Sequence, residues 1–305
     1  MIVVVAPGQG SQTPGFLEPW LELPGTSDLL GALSEAAGVD LAKHGTTSDA
    51  DTIRDTAVAQ PLIVAAGILT LDALADTEHL AKTAGIAGHS VGEFTAAAGA
   101  GVLDATDAVR LVGIRGRAMA AAAALEATGM SAVIGGDEAE ILAALEAHGL
   151  SPANYNGGGQ LVVAGPVSGL AALAENPPAG TRVISLQVAG AFHTSYMASA
   201  VETLREAAST VNTHDAAKTL WTNRDGSTVT NGRDFVDLLV GQVSSPVRWD
   251  KCMDSFASAG VTGIIELAPA GALVGLAKRA LKGVPTVAIK TPDDLAAARE
   301  LIDSL

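Results

Sequence analysis

The chain has 305 residues, of which 48% are apolar and only 3% aromatic, with a formal net charge of −15. That length suits one large domain or two modest ones, and the apolar share suffices for a sizeable core of small side chains. The acidic balance speaks against binding nucleic acid or an anionic membrane, which call for clustered Lys and Arg, and the single cysteine, Cys252, excludes an intramolecular disulfide and a cysteine-rich metal site.

The opening MIVVVAPGQG has no basic stretch ahead of its short apolar run, so it does not read as a signal peptide. The later apolar stretches read as shorter than the ~20 residues that span a bilayer. The expectation is a soluble cytoplasmic protein, in the plainest case a monomer. Ile2 to Ala6 reads as a buried strand, followed by a Gly-rich turn from Pro7 to Gln12. Helical segments run to about Leu74, one of them an apolar helix placed after Gln60-Pro61. A short strand, Ala84 to Ala87, leads through the turn GHSVGE into the small-residue helix FTAAAGAGVL. Strand, sharp turn and helix in that order predict a parallel α/β sheet.

Asp104 to Thr128 reads as one long helix, with Asp104 or Thr106 available as its N-cap. Next come a strand at Met130–Gly135, a helix at Asp137–His148, strands at Leu150–Asn156 and Gln160–Gly165 about a GGG turn, a helix at Val167–Glu175 and a strand at Arg182–Val188. The order β-α-β-β-α-β is ferredoxin-like. It predicts a small subdomain over residues 129–189, inserted into a large α/β unit made of residues 1–128 and 190–305. The large unit continues with a helix at Ser195–Ser209, a strand at Thr219–Asn223, helices at Phe235–Val243 and from Trp249, a strand at Gly263–Leu267, a helix at Leu273–Leu281 and a last strand at Thr286–Ile289.

Gly88-His89-Ser90-Val91-Gly92 matches G-x-S-x-G with a strand before it and a helix after it, the context this motif requires. The glycines permit a sharp turn with Ser90 at its tip. There the free N–H of Val91, at a helix start, can stabilise an oxyanion. The bland alternative is a turn whose serine only caps the helix. A serine hydroxyl needs a base. His44, His79, His148 and His214 sit in polar settings and read as surface residues, and His89 is assigned to bracing the turn. His193 follows the apolar run VAGAF and precedes a helix, at the sheet edge where ligands bind, and is the chosen base. A second oxyanion donor should come from the loop GQGSQ, with the Gln9 backbone N–H the candidate. That loop lacks the Walker lysine and does not match GxGxxG. Cys252 has no matching constellation around it.

Arg115 shares one helix face with Ala108, Val112, Met119 and Ala122. Arg110 and Arg117 lie ~140° and ~200° away around the helix. An inward guanidinium needs an anion. Spacing alone leaves open whether that is an internal carboxylate or the carboxylate of a substrate held in bidentate fashion.

Taken together, GQGSQ, QPLIVAAG around Gln60, GHSVGE, IRGRAM with Arg115, NYNGGGQLVVAG with Asn156, AFHT with His193 and GQVSSPVRW with Gln242 resemble, in order and spacing over essentially the whole chain, the malonyl-CoA:acyl carrier protein transacylases of bacterial fatty acid synthesis. The resemblance implies a hydrolase-like parallel-sheet α/β unit with the ferredoxin-like insert. It implies Ser90 as the acylated nucleophile and His193 as its base, the latter oriented by the main-chain carbonyl of Gln242 instead of an aspartate. It implies an oxyanion hole from the Gln9 and Val91 amides and Arg115 as the receptor of the malonyl carboxylate, with Phe192, Gln60 and Asn156 also on the substrate. Malonyl-CoA and acyl carrier protein are the implied partners, and no metal or redox cofactor is needed. Phe192 departs from many bacterial relatives, which carry a small polar residue there. Related polyketide domains that choose malonyl also have Ala-Phe before the histidine, and those that choose methylmalonyl usually have Ala-Ser, so malonyl is expected over methylmalonyl. The rival reading is a serine esterase or thioesterase, with water in place of the thiol. Its usual chain order puts the histidine near the C-terminus, whereas here the last one is His214. A non-catalytic carrier-binding module is a third reading. An acidic carrier would need a locally basic face, for which Lys278, Arg279 and Lys282 are candidates.

Overall fold

The computed structural model describes residues 1–75 and 78–304. In chain order the strands are β1 (Ile2–Ala6), β2 (Gly85–Gly88), β3 (Thr128–Gly135), β4 (Ser151–Gly157), β5 (Gln160–Pro166), β6 (Thr181–Ser185), β7 (Thr219–Leu220), β8 (Val247–Arg248), β9 (Gly263–Glu266) and β10 (Thr286–Ala288). Among the described residues they form two sheets. The first is wholly parallel, in the order β10-β9-β1-β2-β7. Its central strand β1 is buried at every residue. A strand covered on both faces needs apolar side chains on both, which is why Ile-Val-Val-Val-Ala is continuous and not alternating.

The second sheet has the order β6-β3-β5-β4-β8. Its first four strands pair antiparallel, and with the helices Glu138–Ala147 and Val167–Glu175 they complete the expected βαββαβ unit. This segment has an apolar cluster of its own, including Val133, Ile141, Leu145, Leu161, Val163 and Leu173. The two-residue β8 comes from the large unit and pairs parallel with β4, Asn154 opposite Val247 and Tyr155 opposite Arg248. Two residues are too few for periodicity to reveal.

Three differences from the sequence reading bear on the site. The apolar helix spans Thr56–Ala75, with Pro61 inside it. Asp55 starts it early by accepting the Ala57 N–H at 2.8 Å, and Pro61 forfeits the bond its own N–H would have made. By length and composition this helix could cross a membrane, contrary to the reading that no apolar stretch is that long. It is instead a core helix, 78% buried over its most apolar window. The long helix ends at Ala123, so Thr128 opens β3 and is not helical. Its Oγ1 accepts the Ala191 N–H at 3.0 Å. Finally, among the described residues no strand of the large sheet leads into His193. The preceding strand, β6, ends at Ser185 and belongs to the second sheet.

Helix Thr56–Ala75 packs on helix Ala105–Ala123 at Gly116, where an added Cβ would stand 2.9 Å from the Thr56 carbonyl oxygen. That close approach sets Gln60 beside Arg115, beyond the C-terminal ends of β1 and β2, which are in register at Ala6 and Gly88.

Candidate active site

The turn after β2 is held by its glycines. A Cβ on Gly88 would overlap the Gly92 carbonyl, and one on Gly92 would overlap the Ala6 carbonyl oxygen. With both absent, the chain reverses and Ser90 takes a φ of 52°. For a residue with a side chain that conformation costs about 1–3 kcal/mol and persists only where the surroundings fix it. They do so here at both backbone groups. The Ser90 N–H donates to Asn223 Oδ1 at 2.7 Å, and its carbonyl accepts from Gln242 Nε2 at 3.1 Å.

Ser90 Oγ lies 2.7 Å from His193 Nε2. His193 Nδ1 lies 2.9 Å from the main-chain oxygen of Gln242. A carbonyl can only accept, so Nδ1 carries the proton and Nε2 is free to take the serine's. His193 is buried and has a φ of 61°. Burial, and then the positive charge of Arg115, hold its pKa down at about 3, so the imidazole is neutral at physiological pH. His89 faces away from this pair. Its Nε2 meets Asn156 Oδ1 at 2.9 Å and its ring stands edge-on to Trp249.

Arg115 is 1% exposed, while Arg110 pairs with Asp107 and Arg117 is exposed. Its Nη1 donates to Gln60 Oε1 at 2.5 Å and its Nη2 to Gln242 Oε1 at 2.9 Å, with Ser90 Oγ 3.4 Å from Nη2. Its Nε is buried without a partner among the described residues. The internal acid left open by the sequence is Glu93, but it sits one side chain away. Gln242 Nε2 donates to Glu93 Oε2 while Gln242 Oε1 faces Arg115. Arg115 thus has only neutral direct partners, and burial lowers its pKa. Burial likewise raises the Glu93 carboxyl, against the pull of two N–H donors and of Arg115.

A cavity of about 80 Å³ opens between the two sheets, lined by Ser90, Val91, Gln9, Gln60, Arg115 and His193 on one wall. His89, Met119, Met130, Asn154, Val188 and Phe192 complete it. The backbone N–H groups of Gln9 and Val91 carry no hydrogen bond among the described residues, and the Gln9 side chain is tied to the Arg54 carbonyl at 3.2 Å. The fold therefore brings together Ser90, His193, Arg115, Gln242, Gln60, Gln9, Val91 and Phe192. Asn156 stands apart, behind His89, bonded to His89 and Gln160. It is Asn154 that lines the cavity, with a buried Oδ1 that has no partner among the described residues. Lys278, Arg279 and Lys282 are exposed at and just beyond the end of helix Ala272–Ala280. Cys252 is buried, and burial raises its thiol pKa well above the usual value, so it is a poor nucleophile.

Sequence reasoning missed Glu93, Asn223, Asn154 and the side-chain role of Gln242. Glu93 stands in the quoted GHSVGE turn, and a charged residue on a helix that is otherwise all small or apolar was the available signal. Asn223 had none.

An acyl transferase domain model matches residues 3–292. The malonyl CoA-acyl carrier protein transacylase of Mycobacterium tuberculosis is 54% identical over 296 residues, 97% of this chain and 98% of that protein. The chain belongs to the malonyl-CoA:acyl carrier protein transacylase family. A more distant member, from Escherichia coli, is 34% identical over 304 residues, with 97% of this chain and 98% of that protein covered. The crystal structure of the M. tuberculosis transacylase superposes with a TM-score of 0.96 at 53% identity, covering 98% of this chain and 99% of that one. A malonyl-transacylase in complex with a type II PKS acyl-carrier protein superposes with a TM-score of 0.91 at 27% identity, covering 98% and 99%. Both sheets of the transacylase fold are thus present in this chain.

Proposed function

We propose that this chain, acting as a cytoplasmic monomer, transfers a malonyl group from malonyl-CoA to the phosphopantetheine thiol of an acyl carrier protein, through a malonyl ester on Ser90, to supply fatty acid or polyketide chain extension. The observation that carries this reading is the hydrogen-bonded series Ser90–His193–Gln242 carbonyl in one cavity with a buried arginine that has no directly bonded carboxylate among the described residues.

Malonyl-CoA binds with its free carboxylate on Arg115, whose unpaired Nε offers a further donor. His193 Nε2 takes the Ser90 proton as Oγ attacks the thioester carbonyl, and the Gln9 and Val91 N–H groups receive the oxyanion. The intermediate collapses, the C–S bond breaks and His193 returns the proton to the departing CoA thiolate. The carrier thiol then gives its proton to His193 and attacks the acyl-serine by the reverse route. The carboxylate also acts on the base. Arg115 holds the imidazole pKa down, so neutralising that charge makes His193 a stronger base when the right substrate is present. A neutral acyl ester would lack this effect, which favours transfer of a half-thioester of a diacid over general esterase chemistry. Phe192 closes the cavity beside the acyl group against an α-methyl. Residues 129–189 form the small subdomain, and residues 1–128 with 190–305 the large one. Lys278, Arg279 and Lys282 offer an acidic carrier its basic contact.

Intact-protein mass spectrometry after mixing with malonyl-CoA tests the reading. One malonyl should add to the wild-type protein, on the Ser90 peptide, and leave on addition of holo carrier protein. Ser90→Ala should gain nothing and lose activity by at least about a thousandfold. Release of malonate at a rate indifferent to carrier protein would instead make the chain a hydrolase.

A further inference from the structure

Glu93 touches neither the cavity nor any group assigned a chemical step, yet both of its oxygens are committed. Oε1 accepts the backbone N–H of Asn223 at 2.7 Å. Oε2 accepts from Gln242 Nε2. These are the two residues that hold the nucleophile's backbone: Asn223 Oδ1 takes the Ser90 N–H, and Gln242 Nε2 reaches the Ser90 carbonyl. Asn223 also spans the turn, its Nδ2 donating to the Gly88 carbonyl at 2.7 Å. Gln242 turns its other amide atom, Oε1, to Arg115.

An amide can be placed two ways round, with oxygen and nitrogen exchanged. Arg115 only donates, so the Gln242 oxygen must face it, and the amide nitrogen is left to donate to Glu93 Oε2. By accepting from that nitrogen, Glu93 holds Gln242 in this placement, and through it the guanidinium. Through Asn223 it fixes the turn, at a residue whose φ needs outside support. We infer that Glu93 is a positioning residue that couples the Ser90 turn and the Arg115 anion receptor into one rigid unit. The inference rests on the transacylase reading above and adds to it a residue that contacts no substrate.

Geometry separates the two arms. The Asn223 arm serves the nucleophile and affects every acyl donor alike. The Gln242 arm serves Arg115 and affects only donors with a free carboxylate. The test is single-turnover acylation of Ser90 by malonyl-CoA and by acetyl-CoA, with thermal unfolding followed in parallel. Glu93→Gln replaces one acceptor by a donor. It should slow malonyl transfer by about thirtyfold or more and acetyl transfer by about five- to tenfold, lowering the malonyl-to-acetyl ratio. Asn223→Ala should slow both donors by a similar factor and leave the ratio unchanged. Gln242→Leu, which keeps the main-chain carbonyl, should lower the ratio. A merely structural role for Glu93 would reduce both donors equally, in step with the folded fraction. That result, or wild-type rates in Glu93→Gln, overturns the inference. Should Glu93→Gln not fold, the other two variants decide, and equal ratios in both would overturn it. Wild-type protein that fails to acylate Ser90 at all would instead break the transacylase reading.

Discussion

The two walls of the cavity are built on opposite plans. The wall supplied by the parallel sheet and its helices sets half-buried Ser90 beside buried Arg115, His193 and Gln242, with Glu93 and Asn223 buried behind them, bonded mainly to one another. The wall facing it, from the second sheet and the segment after it, presents Met130, Val188 and Phe192 beside the polar side chain of Asn154. Buried polar groups are costly unless every partner is in place, so the first wall tolerates little change. The second is apolar packing, where volume can change at modest cost. On the proposed reading, bond making and the hold on the free carboxylate belong to the wall that cannot vary, and tolerance of an α-substituent to the wall that can.

The most direct way to break this division is to remove the cation from the polar wall. Arg115→Ala should lower kcat/KM for malonyl-CoA about a hundredfold or more and that for acetyl-CoA far less, measured by steady-state kinetics with both donors. Equal losses would mean that Arg115 supports the wall and not the carboxylate. A second test concerns the base. An imidazole of ordinary pKa would be only about 3% neutral at pH 5. His193, held at about 3, should keep its neutral Nδ1–H form there. Ring-nitrogen NMR shifts should show no titration between pH 7 and 5, and Arg115→Ala should move the midpoint upward. The linked stability has a definite sign. The unfolded imidazole binds a proton that the folded one refuses, so His193 makes the fold less stable as pH falls from 6.5 towards 3.

On the apolar wall the expected effects are smaller. Phe192→Ser should raise the methylmalonyl-to-malonyl ratio of kcat/KM by roughly tenfold, the usual worth of one methyl group in a pocket. Unchanged selectivity would remove Phe192 from the choice of acyl group. Smallest of all, reversing the charge of the exposed Lys278 and Arg279 should raise KM for the carrier roughly severalfold, in a salt-dependent manner, and spare malonyl-CoA. A matching rise for both substrates would count against that docking face.

Local signals made the first half of the site legible. The Ser90 turn sits between a strand and a helix with glycines where no Cβ fits, and Arg115 lies on the apolar face of its helix. The parallel sheet and the βαββαβ insert were readable for the same reason, each element carrying its own period. What sequence could not show is assembled from afar. Asn223 meets Ser90 across 133 positions, and the Gln242 side chain meets Glu93 across 149. Asn156 comes from the family resemblance alone, and it is Asn154, two residues earlier on β4 and separated from it by a register irregularity, that lines the cavity. Pro61 was misplaced as a helix start because a proline's local meaning was trusted over the Asp55 cap behind it.

The Thr56–Ala75 helix has a consequence for how the protein is made. Helices Thr26–Ala37 and Leu41–Thr46 cover part of it from earlier in the chain, but its two main neighbours, helices Gly92–Gly99 and Ala105–Ala123, lie later. A ribosome therefore releases a span-length apolar segment before most of its cover exists, and for that interval the nascent chain shows a stretch of membrane-span length and composition. How quickly residues 92–123 follow, or which chaperone waits for them, decides whether that segment ends in a core or in a bilayer.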